Sequence, residues 1–102
     1  MTDRELLELA AKAAGYNAFP GHAAQMMDSG WNPLEDDGDA LRLAVTLGLI
    51  VDIGLDEHVT AVDYTTPLAE DGFVLEDHFP DRCAATRRAI VRAAAEIGRS
   101  MS

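Results

Sequence analysis

Trp31-Asn32-Pro33-Leu34-Glu35-Asp36-Asp37-Gly38-Asp39-Ala40-Leu41-Arg42-Leu43-Ala44-Val45-Thr46-Leu47-Gly48 combines the chain's one tryptophan, an acidic helix entry and a clear amphipathic pattern. Pro33 disfavours helical backbone at Asn32, so a new element starts here. Asp36 or Asp37 caps that element, and both carboxylates suit the positive end of a helix dipole. Leu41, Ala44, Val45 and Leu47 or Gly48 recur at helical spacing and read as its buried stripe. Gly48 ends it, as a residue that tolerates left-handed backbone should.

Working outward towards the N-terminus, Thr2-x-x-Glu5 is a capping box. Leu6, Leu9, Ala10 and Ala13 follow on one face, and Gly15 closes a helix over residues 3 to 14. Between the two helices, Tyr16 to Phe19 and Gln25 to Asp28 read as two strands around a Pro20-Gly21 turn. The run Ala23-Ala24-Gln25-Met26-Met27 also fits a helix, and the hairpin is the preferred reading.

Towards the C-terminus, Leu49 to Leu55 is the best strand, with Leu49, Val51, Ile53 and Leu55 on one face and Asp52 opposite. Asp56-Glu57 is a turn. His58 to Tyr64 alternates Val59, Ala61 and Asp63 against Thr60, Val62 and Tyr64. A loop from Thr66-Pro67 ends in an Asp71-Gly72 hairpin turn, and Phe73 to Asp77 is the next strand. Asp81 then caps a last helix over 82 to 99. Cys83, Ile90, Ala94, Ile97 and Met101 line one face of it, and Arg92 is placed to pair with Glu96 four residues on. These elements predict one small α+β domain over 1–102. The expected architecture is an α/β/α sandwich with a mostly antiparallel sheet of three to five strands and three helices.

Composition narrows the function classes. The chain has 102 residues, of which 48% are apolar, and its 17 alanines far outnumber its six aromatic residues. A thin, alanine-rich core is compatible with a homodimer that buries further surface. No apolar run approaches a membrane span, and no apolar leader follows Thr2-Asp3-Arg4-Glu5, so a cytoplasmic protein is expected. The lone Cys83 excludes an intrachain disulfide and a multi-cysteine metal site. No cofactor fingerprint occurs.

The charge is uneven. The total is −10, and residues 28 to 81 hold 14 Asp/Glu against the single base Arg42. Residues 82 to 102 hold five arginines and one Glu. Phosphate binding needs concentrated positive charge, so direct nucleic-acid binding is not expected.

Three segments carry a family resemblance. They are Glu5 to Gly15, Trp31 to Gly48, and Asp81-Arg82-Cys83-Ala84-Ala85-Thr86-Arg87-Arg88-Ala89-Ile90-Val91-Arg92-Ala93-Ala94-Ala95-Glu96-Ile97-Gly98. Together they resemble the phage ABA sandwich domain family, small proteins carried on phage and prophage genomes. The resemblance implies a layered α/β domain of that origin. It implies no catalytic residue and no cofactor.

Several groups are candidate sites. Trp31, Asn32, Asp36, Asp37 and Asp39 form the expected binding surface, facing a host or phage protein, with Trp31 at the edge of the acidic segment. The structural alternative makes Trp31 a staple and the aspartates caps. Asp56-Glu57-His58 and Glu76-Asp77-His78 repeat an acid-acid-His order that would suit a divalent metal only if strands brought them together, and polar turns are the preferred reading. Cys83 with His78 as base is a formal nucleophile pair, against a buried structural thiol as the preferred reading. Arg87, Arg88, Arg92 and Arg99 are expected along one side of the last helix, pairing with this chain's own acids or with a partner subunit. The function expected overall is non-catalytic protein binding through an acidic surface. A small metal-dependent enzyme and an oligomeric assembly component are the alternatives.

Overall fold

The computed structural model describes residues 1–16, 19–56 and 58–101, with residues 54–56 described by backbone alone. In chain order the elements are α1 (Asp3–Ala13), α2 (His22–Asp28), α3 (Asp37–Leu47), β1 (Ile50–Asp56), β2 (Val59–Thr65), β3 (Asp71–Asp77) and α4 (Arg82–Ser100). This is a small α+β fold with a three-stranded antiparallel sheet in the order β1-β2-β3.

Local chemistry places most boundaries. The Thr2 hydroxyl accepts from Glu5 N at 3.1 Å, and Glu5 Oε1 accepts from Thr2 N at 3.2 Å, which completes the capping box of α1. Asp81 Oδ1 accepts from Cys83 N and Ala84 N at the start of α4. Gly48 closes α3 in the left-handed region at φ 64°.

One element differs in kind from expectation. Residues 22–28 form helix α2, so Gln25 to Asp28 is not a return strand. Of the expected first strand, Tyr16 to Phe19, residues 17 and 18 lie outside the described residues. The stretch from Tyr16 to Trp31 contains no β-branched residue, while Ala23, Ala24, Gln25, Met26 and Met27 all favour helix. Gly21, left-handed at φ 84°, turns the chain into α2. The Asp71-Gly72 turn is also displaced. The reversal is made by Thr66 to Glu70, with Thr66 N donating to Glu70 O at 2.9 Å, and Asp71-Gly72 already belongs to β3. Gly72 sits opposite Tyr64, where a Cβ would lie 2.5 Å from the tyrosine ring.

The strands alternate cleanly between two faces. Register pairs Val51 with Val62 and Val62 with Val74, and these face the helices together with Thr60, Tyr64 and Glu76. Ile50, Asp52, Asp63, Phe73, Leu75 and Asp77 are on the other face, which no described helix covers. α4 lies across the inner face of β2 and β3, flanked by α1 on the β3 side and α3 on the β1 side. The sheet is therefore an outer layer of the stack rather than its centre.

The core is built from small side chains. Ala10, Ala89, Ala93 and Ala94 are fully enclosed, with Val62 and Val91 between them. Alanine at these positions lets helix axes approach closely. The buried face of α3 is Ala40, Leu43, Ala44 and the partly buried Leu47, which keeps Ala44 and Leu47 of the expected stripe. Leu41 and Val45 are instead 64% and 73% exposed. The alanine-bearing stripe meets alanine-rich α4 and leaves Arg42 free to reach the acids at the helix start. Among the described residues, no helix is long and apolar enough to cross a membrane.

Candidate binding surface

The start of α3 gathers Asn32, Asp36, Asp37 and Asp39, and the structure ties each of them into the fold. Asp36 is the N-cap, and its Oδ2 accepts from Asp39 N at 2.8 Å. Asp39 bridges two partners: Oδ2 accepts from Asn32 N at 2.9 Å and Oδ1 from Arg42 Nη2 at 2.7 Å. Asn32 Oδ1 accepts from Leu34 N at 3.1 Å, fixing the turn around the buried Pro33. Asp37 accepts from Arg87 Nη1 at 2.6 Å, while Arg87 Nε donates to Leu34 O at 2.9 Å. The Asp37 hydrogen bond raises the Arg87 guanidinium above its ordinary range. Trp31 is half-buried against the core, with its ring edge-on to Tyr16 at 5.6 Å. The described bonds of these five residues are capping and anchoring contacts. Asp36→Ala should cost about 1 kcal/mol, the usual value of an acidic N-cap. Chemical denaturation of the two proteins measures it.

The arginines of α4 divide between two flanks instead of lining one side. Arg87 turns to α3, whereas Arg88 donates to Asp3 of α1 at 3.2 Å. Arg92 bonds Glu76 and donates to Leu75 O at 3.1 Å on the β3 edge, so its partner is not Glu96. Glu96 pairs with Arg99 at 3.5 Å. All four meet carboxylates of this chain. Exposed pairs of this kind add little stability each, but they cancel the positive charge of the helical layer.

The histidine and cysteine candidates are partly rearranged. His78 N donates to His58 O at 2.7 Å, so the two acid-acid-His segments do meet at one end of the sheet. The His78 ring is buried, with Nε2 2.6 Å from Thr60 Oγ1, and Glu76 is bound to Arg92. Thr60 Oγ1 is also 3.0 Å from Thr86 Oγ1, so one strand hydroxyl joins β2, the end of β3 and α4. Glu57 and the Asp56 side chain lie outside the described residues. Among the described residues no three His, Cys, Asp or Glu side chains gather in the manner of a metal site. Cys83 is exposed, not buried. It stands in the first turn of α4 and lines an apolar groove of about 430 Å³ together with Leu41, Ala44, Ile53, Thr86 and Ile90.

The open face of the sheet is the feature that sequence reasoning did not single out. Ile50, Phe73 and Leu75 are 65%, 66% and 50% exposed there. Asp52, Asp63, Asp71 and Asp77 point the same way by strand alternation, and all four are exposed. Asp71 accepts from the Thr65 hydroxyl at 2.9 Å, and Asp77 from Phe79 N at 3.0 Å. Residues 43 to 81 contain nine Asp/Glu and no lysine or arginine, so no lysine or arginine on these strands offsets those charges. The signal was present in the sequence as apolar residues on both faces of the strands.

Compared with known proteins, the chain matches no family model, no curated protein and no solved structure.

Proposed function

We propose that this chain is a phage or prophage accessory protein that acts by binding another protein in the host cell, without catalysis. The phage origin rests on the resemblance of the three helical segments to the ABA sandwich domain family. One observation carries the binding reading: large apolar side chains stand among carboxylates on the uncovered face of the sheet, with no lysine or arginine on the strands. Contiguous exposed apolar patches rimmed by polar groups mark interaction surfaces more often than solvated ones. The acidic surface is thus assigned to the strands, and Trp31 with the α3 aspartates becomes the scaffold behind it.

Affinity capture from bacterial lysate, followed by reconstitution with the purified partner, tests this reading. Phe73→Ser/Leu75→Ser should keep the wild-type melting temperature within a few degrees, because both side chains are already exposed. The double variant should lose the reconstituted complex. A partner held equally by wild type and the folded variant would remove this face from the reading. Saturating turnover of a substrate by the purified protein would overturn the non-catalytic assignment.

A further inference from the structure

We infer that the open sheet face receives one basic amphipathic helix of a partner protein. The inference rests on the protein-binding reading above and specifies what the partner presents. Three features of the face select this occupant.

The first is its size. Three strands of seven residues give a surface about 23 Å long, with about 10 Å between the outer strands. A single helix is about 10 Å across and covers 23 Å with about 15 residues. The second is the arrangement of apolar groups. Ile50 and Phe73 lie in one cross-strand row through Asp63, and Leu75 lies in the next row, through Ala61 and Asp52. Ala61 is small and only 7% exposed, so it leaves a shallow trough between larger neighbours. A stripe of leucine-like residues at helical spacing fills such a trough, as helix-in-groove partners do.

The third feature is charge, and it decides between occupants. Asp52, Asp63 and Asp77 stand beside the apolar groups with no base on the strands. A second copy docked face to face would set these carboxylates against their own equivalents. Nucleic acid and anionic membrane surfaces are repelled by the same charges. A helix with lysines or arginines along both rims of its apolar stripe satisfies the apolar and the charged groups together.

The test uses a defined probe. This is a blocked peptide of about 15 residues, built from leucine on one helical face and lysine elsewhere. The control has the same composition with the leucines dispersed around the helix. The full chain, labelled with ¹⁵N, is titrated with each and followed by amide shifts. The amphipathic peptide should bind saturably, moving the amides of residues 50–52, 61–63 and 73–77 far more than those of α1 and α4. The control should not saturate. Phe73→Ser/Leu75→Ser should weaken binding about tenfold. Asp52→Asn/Asp63→Asn should weaken it as well and should flatten its salt dependence. The asparagine pair preserves the apolar surface, so it decides the matter even if the serine pair alters folding.

Shifts confined to the α3–α4 groove, equal binding of both peptides, or unchanged affinity in both variants would overturn the inference. So would concentration-dependent shifts of the same strand amides without peptide, which would place a second copy on the face. The two readings fail separately. Loss of the natural partner by the serine variant, with no peptide binding, keeps the face and removes the basic helix. Retention of the partner by that variant removes the face itself.

Discussion

Gly98→Ala should lower stability by about 3 kcal/mol, the upper part of the range for forcing atoms into a packed core. Gly98 is a buried residue of α4 where that helix crosses α1. A Cβ there would lie 2.0 Å from the carbonyl oxygen of Leu9 and 2.9 Å from its carbonyl carbon. Helix propensity acts in the opposite direction, since alanine is favoured over glycine by about 1 kcal/mol in a helix interior. The steric effect wins because the obstacle is backbone, which no rotamer change can move aside. Relief requires α1 to slide off α4, against Leu6, Leu7, Ala10 and Ala11 that are buried on α1. For a chain of this size, about 3 kcal/mol corresponds to a melting temperature lower by roughly 12–24 °C. Calorimetry of the two proteins measures it. An equal or higher melting temperature would mean that α1 and α4 do not meet at Gly98.

Thr60→Val should cost about 2 kcal/mol, although valine matches threonine in shape and favours strands. Thr60 is fully buried on the inner face of β2. Its hydroxyl meets His78 Nε2 at 2.6 Å and Thr86 Oγ1 at 3.0 Å. Valine deletes both bonds and leaves two polar groups of the interior without this partner, which is the costly direction of a hydrogen-bond deletion. Thr60→Ser keeps the hydroxyl and should lose less than the valine variant. If packing alone held this junction, the valine protein would melt at the wild-type temperature and the serine protein below it. Urea unfolding of all three separates these outcomes.

Both effects sit where one chain segment meets another distant in sequence, and such sites were the least legible. Elements set by local chemistry were readable. Thr2 with Glu5, Asp36, Gly48 and Asp81 mark their helix ends through neighbouring atoms alone. The strands were readable from alternation. Pro20-Gly21 resembles a hairpin turn and favours a strand at Gln25 to Asp28, yet no β-branched residue lies between Tyr16 and Trp31, and residues 22–28 are helical. On α3, Leu41-Val45 and Leu43-Leu47 are both apolar stripes; Ala44 and Leu47 of the expected face are inward, while Leu41 and Val45 give way to Ala40 and Leu43. The choice between them is made by alanine contact with α4, which a single segment does not encode. Cys83 continues an apolar stripe in sequence, but in the fold it is exposed and lines a groove with residues of α3 and β1.

The candidate site was legible in charge and not in place. The acidic excess of residues 28 to 81 was plain. Its densest run, at the start of α3, makes capping and anchoring bonds. The acids that remain displayed beside apolar groups are spread over three strands, and only register brings them together. Apolar residues on both strand faces suit a sheet buried on both sides, but the described helices cover only one face and leave the other open.

Displacement is the most direct test of that face. The natural partner is immobilised, the protein is bound to it, and the amphipathic leucine–lysine peptide is added at increasing concentration. Release of the protein by this peptide, and not by the control with dispersed leucines, is the result expected if the open sheet face is where the protein works. A complex that persists at saturating peptide would contradict the account and place the working surface elsewhere on the molecule.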